Sequence, residues 1–397
     1  MDFIFKTSNR LIVALSCEGR LRIFTLQRVL LKILGFEWWK EGLNFPLPDF
    51  MKKWGYQAFW VILMICDIVL TLKASVWMAI DNDLKYTIKM NGIIVMMPFV
   101  GSLIKIFYLR YMQKEFIELI ETCESIGHLD MEEESIQSGL RLNFVYINML
   151  LSTVGIWAIF FTIINHEIPV ATDFPWSQDV ALGQFFSLMI DFYCGINCCL
   201  AHSLLDTIFP VSAIVIIAHL ATLRKKLAKL GCNKYQDEVL LNESIELHNK
   251  LLSMSELLQI CYNEVSVAQS LYSVMHSCVL IFAVEQVPNK FSVLVSSFPL
   301  LLCSYAQLWM YCSFGQMMTD EFDKISFALY NNRWYACSIS SRKALVTFAQ
   351  ACQKKVGLKG VGNINASYSN FLHKIQDSVS YYLILKTVTS ESDGEKN

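Results

Sequence analysis

Six blocks of twenty or more largely apolar residues, at about 57–80, 88–109, 142–165, 184–220, 265–287 and 291–315, constrain this chain more than any other feature. Each can cross the roughly 30 Å hydrocarbon core of a bilayer as a helix. A seventh, more polar stretch lies at about 365–388. Lipid offers backbone amides no partners, so such runs must close their own hydrogen bonds as helices. The expected fold is therefore all-α: a polytopic membrane protein with seven transmembrane helices. Charged residues make up only 17% of the chain, against about 25% in soluble domains, which argues against an ordinary soluble enzyme. The formal net charge is −2, and no basic tail or Lys/Arg-rich helix offers a nucleic-acid surface. Residues 1–16 scatter Asp2, Lys6 and Arg10 through a short apolar stretch and do not read as a signal peptide.

Positive charge is retained on the cytoplasmic side of a membrane, so Lys and Arg between the spans give the orientation. The N-terminal segment and the second, fourth and sixth loops hold 25 of them, and the alternate segments five. The N-terminus is expected to be cytoplasmic and the C-terminus extracellular. The two glycosylation sequons, at Asn242 and Asn365, fall on the inner side or at the mouth of the last span. The 13 cysteines lie within spans or on the inside, so no outer-loop disulfide is expected.

From Cys232 to Phe314 there is no glycine, and the only prolines are Pro288 and Pro299. One helix from about Gln236 to Val287 would be roughly 75 Å long, more than twice the hydrocarbon core, so its first half should stand in the cytosol. The fourth span, Gln184 to Leu223, should protrude likewise unless Pro210 breaks it. With the amphipathic stretch from Asp320 to Val356, these overhangs predict a cytoplasmic helical bundle able to join subunits. The chain then divides into a cytoplasmic N-terminal segment (1–53), helices one to six with cytoplasmic extensions (54–315), cytoplasmic anchor helices (316–362), a seventh transmembrane helix (363–388) and an extracellular tail (389–397).

Catalytic chemistry finds no foothold. The seven histidines show no spacing with one another or with Cys that would suit zinc, and there is neither a phosphate-cradling glycine loop nor a nucleophile elbow. The run Glu132-Glu133-Glu134 reads as a solvated turn. We expect no enzyme, cofactor or metal. Ionisable residues inside spans are costly and therefore informative: Asp67, Lys73, Lys105, Asp191, His202 and Asp206. His202 and Asp206 share one helix face, as a proton relay would require, although an interhelical hydrogen bond facing a wet cleft is favoured. Lys105, near the end of its span, is expected to snorkel to the cytoplasmic interface.

Down the last span, polar or small residues recur at Ser369, His373, Gln376 or Asp377 and Ser380, and the line continues to Ile384 and Thr387. That stripe suits a helix lining water, or else a buried polar seam within one subunit. Several copies around an axis would stack rings of Asp377, Ser380, Ile384 and Thr387. The isoleucines would shut the path by dewetting, and the carboxylates would favour cations. The outer halves of spans two, three, four and six hold Met96, Met97 and Phe99; Gly155, Trp157, Phe160 and Phe161; Phe186, Met189 and Tyr193; and Tyr305 and Trp309. Packed together these would line an apolar pocket for a small uncharged organic molecule; singly, each also fits packing or a lipid-facing position.

The segment Tyr311-Cys312-Ser313-Phe314-Gly315-Gln316, followed by Tyr330 and Trp334-Tyr335, resembles the cytoplasmic signature of the insect odorant receptors. The ending from Ser369-Asn370-Phe371 to Ser380-Tyr381-Tyr382-Leu383-Ile384-Leu385-Lys386 is similar to that family's C-terminal motif. The resemblance implies an odorant-gated, non-selective cation channel of four subunits, pairing an odour-tuning receptor with the shared co-receptor Orco in the plasma membrane of a sensory neuron dendrite. It implies helices four to seven meeting in a cytoplasmic anchor, a pore lined by the last helix, and a small volatile odorant bound among helices two, three, four and six. By alignment of the Ser-Tyr-Tyr motif, the hydrophobic gate falls at Ile384 and the polar position beyond it at Thr387. The co-receptor's enlarged fourth loop is lacking, so the chain resembles an odour-tuning subunit.

Two alternatives remain at this point. A gustatory receptor-type ligand-gated channel should share the architecture and differ in the ending. A seven-helix G-protein-coupled receptor would place its N-terminus outside, against the charge count, and would carry Asp-Arg-Tyr and Asn-Pro-x-x-Tyr motifs that are missing here.

Overall fold

Apolar runs leave the backbone no partner but itself, and each closes into a helix. The computed structural model describes residues 23–36, 38, 54–80, 86–126, 134–159, 173–177, 180–232, 234–286, 290–353 and 367–394. Among these are ten α-helices and no strand: α1 (Thr25–Ile33), α2 (Trp54–Ile80), α3 (Tyr86–Tyr111), α4 (Gln113–Ser125), α5 (Glu134–Ile159), α6 (Ala181–Leu227), α7 (Lys234–Gln286), α8 (Lys290–Tyr330), α9 (Ile339–Ala351) and α10 (Tyr368–Gly394). A short 3-10 turn, Trp334–Ala336, joins α8 to α9. Four of the described helices carry windows long and apolar enough to cross a membrane: Gly55–Ala74, Gly139–Ile156, Ala181–Leu227 and Gln236–Phe282.

A helix that is apolar on every side belongs at the centre of a bundle, and α6 is that helix. It packs against α1, α2, α3, α4, α5, α7 and α8. It runs unbroken through the buried Pro210. Small residues allow the close approach: a Cβ added at Gly139 of α5 would lie 2.2 Å from Ile214 Cδ1. By contrast α2 is two-faced. Trp60, Met64 and Ile68 are buried, while Phe59, Ile62, Ile65, Val69 and Leu72 are exposed at helical spacing, as a helix between protein and lipid should be.

The helix expected from about Gln236 to Val287 forms as the 53 residues of α7, about 80 Å long. It reverses from α6 at Gly231, whose φ of +82° suits glycine and where a Cβ would sit 2.2 Å from the Arg333 carbonyl oxygen. The near half of α7 and the far half of α8 pack with α9. Ser338 caps α9, accepting from the Ser341 amide at 3.1 Å. His248 of α7 meets the Phe348 ring edge-on at 5.1 Å, and the Ser326 hydroxyl donates to the Cys352 carbonyl at 3.0 Å. Phe327, Tyr330, Trp334, Tyr335, Ile339 and Val346 stay exposed on this part.

The N-terminal segment holds a helix that hydropathy did not single out. Leu30, Leu31, Leu34 and Phe36 are buried. Gln27 donates to the Thr207 hydroxyl at 3.2 Å, and Arg28 pairs with Glu124 of α4 at 2.6 Å.

Candidate functional site

At the middle of α6 the predicted face of His202 and Asp206 becomes the centre of a buried polar hub. Asp206 is 0% exposed and accepts four hydrogen bonds from three residues. Lys105 of α3 donates to both of its oxygens, at 2.7 and 2.8 Å. Tyr146 of α5 donates at 2.9 Å and Tyr311 of α8 at 2.8 Å. Tyr262 of α7 donates to the adjacent Leu205 carbonyl at 2.7 Å. One carboxylate thus ties together four helices. The expectation that Lys105 snorkels outward is overturned, since its side chain turns into the bundle and is 8% exposed. Reaching for the interface would leave the Asp206 carboxylate buried without its counter-charge, a cost of about 3–5 kcal/mol.

Beside the hub lie two cavities. The larger, about 480 Å³, has walls from α3, α6 and α7, with Met96, Met97, Val100 and Ile104 along one side and Gln269 and Tyr272 along the other. The smaller, about 70 Å³, lies between α3, α5, α6, α7 and α8, lined by residues that include Phe99, Thr153, Val154, Gly195, Cys199, Cys303 and Gln307. His202 and Tyr272 belong to both walls and form the partition between them. His202 is held by the Pro98 carbonyl at 3.1 Å and lies 3.4 Å from the Gln307 amide nitrogen. Gln269 donates to Gln307 at 2.6 Å. A few polar groups in an apolar lining are what a site for a small organic molecule requires.

Of the residues expected in the pocket, Met96 and Met97 line the larger cavity and Phe99 the smaller. Gly155 stands beside open space, with nothing within 4 Å of an added Cβ. Phe186 and Met189 are exposed on the outer surface of α6, and Trp309 is exposed on α8. Tyr193 turns to α2 and donates to the Tyr56 hydroxyl at 3.3 Å. Tyr305 faces α7 and α10, accepting from Ser277 at 2.9 Å and meeting the Ser378 hydroxyl at 3.0 Å. The Trp157 side chain, Phe160 and Phe161 lie outside the described residues. Sequence reasoning missed the contribution of α7. Its signal was present: Gln269, Ser273 and Ser277 recur on one face, opposite Ser304 and Gln307 of α8.

On α10 the seam Phe371, Lys374, Ser378 and Tyr382 faces α7 and α8, and Ser378 is 1% exposed. The stripe of Asp377, Ser380, Ile384 and Thr387 is not buried in that seam, and Ile384 is 58% exposed. Asp377 pairs with Lys374 at 2.9 Å. At the far end Glu285 of α7 accepts from Tyr382 and, at 2.5 Å, from Lys386, fastening α10 on both sides of Ile384 together with the Ser378 contact.

The sequence model of the 7tm Odorant receptor family matches residues 89–374. Odorant receptor 85c of Drosophila melanogaster is 18% identical over 84% of this chain and 92% of its own length. Odorant receptor 85b of the same organism is 20% identical over 72% of this chain and 79% of its own. Among solved structures, the insect olfactory receptor OR5 from Machilis hrabei superposes with a TM-score of 0.74 at 14% identity, covering 92% of this chain and 97% of that one. The same receptor in complex with eugenol gives 0.70. The fold is that of the solved insect olfactory receptor, with a pair of adjoining cavities among its spans. With a match that runs from α3 to the second turn of α10, the chain belongs to the 7tm Odorant receptor family, a family of multi-pass membrane receptors and not of enzymes.

Proposed function

We propose that this chain is the odour-tuning subunit of an odorant-gated, non-selective cation channel, working with the Orco co-receptor in a four-subunit assembly of the sensory neuron plasma membrane. Family membership separates this reading from the gustatory and G-protein-coupled alternatives. In it the N-terminus is cytoplasmic and the C-terminus extracellular, and a small volatile molecule binds in the smaller cavity, whose walls include the four spans expected from the resemblance. The molecule favours the open arrangement by its differential affinity. The last helices then move so that Ile384 leaves the axis and cations pass rings of Asp377, Ser380 and Thr387.

The observation that carries the reading is the exposure of the α10 stripe. A helix that presents Asp377, Ser380 and Thr387 outward from its own protomer carries a carboxylate that is costly against lipid even when paired with Lys374, beside two hydroxyls bonded to their own helix carbonyls. Water around a shared axis removes that penalty. The exposed Phe327, Tyr330, Trp334, Tyr335, Ile339 and Val346 give a second support, because an aromatic patch of this kind marks an interface with neighbouring subunits. The test is whole-cell recording from cells expressing this chain with and without Orco, across an odour panel, with G-protein signalling blocked. Odour-evoked cation current that needs Orco and persists under the block is expected, and current abolished by the block would end the channel reading.

A further inference from the structure

The larger cavity is not enclosed by the helices that surround the smaller one; its walls come from α3, α6 and α7 alone. Val100, Ile104, Glu264 and Ala268 line it and are also exposed, so it opens sideways between α3 and α7. In the spanning part of the protein that mouth meets lipid chains. From Met96 to Tyr108 the slot follows α3 for about 18 Å. One end is apolar, at Met96, Met97 and Val100, and the other is polar, at Lys105, Tyr108 and Glu264. The Lys105 charge is matched by Asp206, which leaves the Glu264 carboxylate to repel an anionic head and to accept from a neutral hydroxyl.

The partition has one fixed member and one loose one. His202 is held by Pro98, whereas the Tyr272 hydroxyl makes no hydrogen bond among the described residues and its ring rests on His276, centroids 5.5 Å apart. Swinging Tyr272 aside breaks no hydrogen bond.

We propose that this slot is a bilayer-side binding compartment for a neutral, elongated amphiphile, such as a medium- or long-chain alcohol, and that Tyr272 is the door through which it passes to the smaller cavity. The apolar chain lies along Met96 to Ile104 and the hydroxyl reaches Glu264. The passage through the door rests on the odorant reading above; the binding compartment does not.

A diazirine-bearing dodecanol, photolysed in membranes of cells expressing the full chain with Orco, tests both. Adducts are expected on slot-lining residues, Met96, Met97 and Ile104 of α3 or Val265, Ala268 and Gln269 of α7. They should fall at least tenfold with excess dodecanol and be lost in Ala268→Phe. Adducts confined to outward residues such as Phe107 and Met275, or not displaced by dodecanol, overturn the compartment. Should Ala268→Phe fail to reach the surface, displacement on the native chain decides by itself. In Tyr272→Ala, adducts should spread to Phe99 and Cys303; adducts that stay in the slot overturn the door. Labelling requires no current, so a chain that labels as expected but conducts nothing would refute the channel reading and leave the compartment standing.

Discussion

The Tyr305 hydroxyl of α8 lies 3.0 Å from the Ser378 hydroxyl of α10, one residue along from Ser304 in the wall of the smaller cavity. The same phenol accepts from Ser277 of α7, and its ring meets Phe371 of α10 edge-on at 6.3 Å. A displacement of α8 at the cavity therefore reaches the proposed pore helix through adjacent residues.

Replacing Tyr305 with Phe removes that link at small structural cost. Ser277 keeps its bond to the Ser273 carbonyl and Ser378 its bond to the Lys374 carbonyl. Losing one neutral hydrogen bond is worth about 1 kcal/mol, roughly a fivefold change in an equilibrium. Dose–response recording should show odour sensitivity lowered by about that factor with surface expression unchanged. Unaltered sensitivity would remove Tyr305 from the coupling route.

The hub makes a sharper demand on stability. Asp206→Asn leaves Lys105 buried without its counter-charge, an effect of about 3–5 kcal/mol. Thermal unfolding of the detergent-solubilised protein should show a large drop in midpoint. Combining Asp206→Leu with Lys105→Met, Tyr146→Phe and Tyr311→Phe removes every member of the network together and should recover most of the loss, because no buried polar group is left unmatched.

Filling the smaller cavity should silence the receptor without unfolding it. A Cβ at Gly195 already lies 3.4 Å from Val154 Cγ1, so Gly195→Leu drives its remaining atoms into the roughly 70 Å³ space. Odour-evoked current should fall at least tenfold at a fixed dose, read against surface biotinylation. A full response would place the odorant elsewhere.

Ile384→Ser tests the gate. A polar side chain at an exposed position of α10 costs the protomer little, but a hydrated constriction no longer excludes ions by dewetting. Resting leak should rise in the absence of odour, and an unchanged leak would take Ile384 out of the gate.

Cysteine chemistry reads the orientation. Burial pushes the thiols of Cys123 and Cys352 up to about 12. Their thiolate, the reactive form, is then a minute fraction at pH 7.5, and its share grows only as pH climbs towards that value. Cys232, exposed in the turn between α6 and α7, should be alkylated by a membrane-impermeant maleimide, and only after permeabilisation if that turn is cytoplasmic. Neither Cys123 nor Cys352 should react in either case. Labelling of Cys232 on intact cells would invert the proposed topology.

Apolar helices and their lengths were legible in the sequence because they are sums over neighbouring residues. Hydropathy adds along a segment, charge adds along a loop, and a stretch without glycine or proline, such as that of α7, holds no local break in a helix. The stripe on α10 was legible for the same reason, since a helix fixes which residues share a face. What no local sum contains is the rotation of one helix against another. Lys105 could snorkel or turn inward with the same sequence, and only the packing of α3 against α6 set it on Asp206. Tertiary structure likewise turned Tyr305 to α10, left Phe186 and Met189 on the outer surface, and brought Tyr272 of α7 between the two cavities. A buried polar group must find a partner, but the identity of that partner is a property of the assembled bundle, and so the hub and the partition belong to the fold alone.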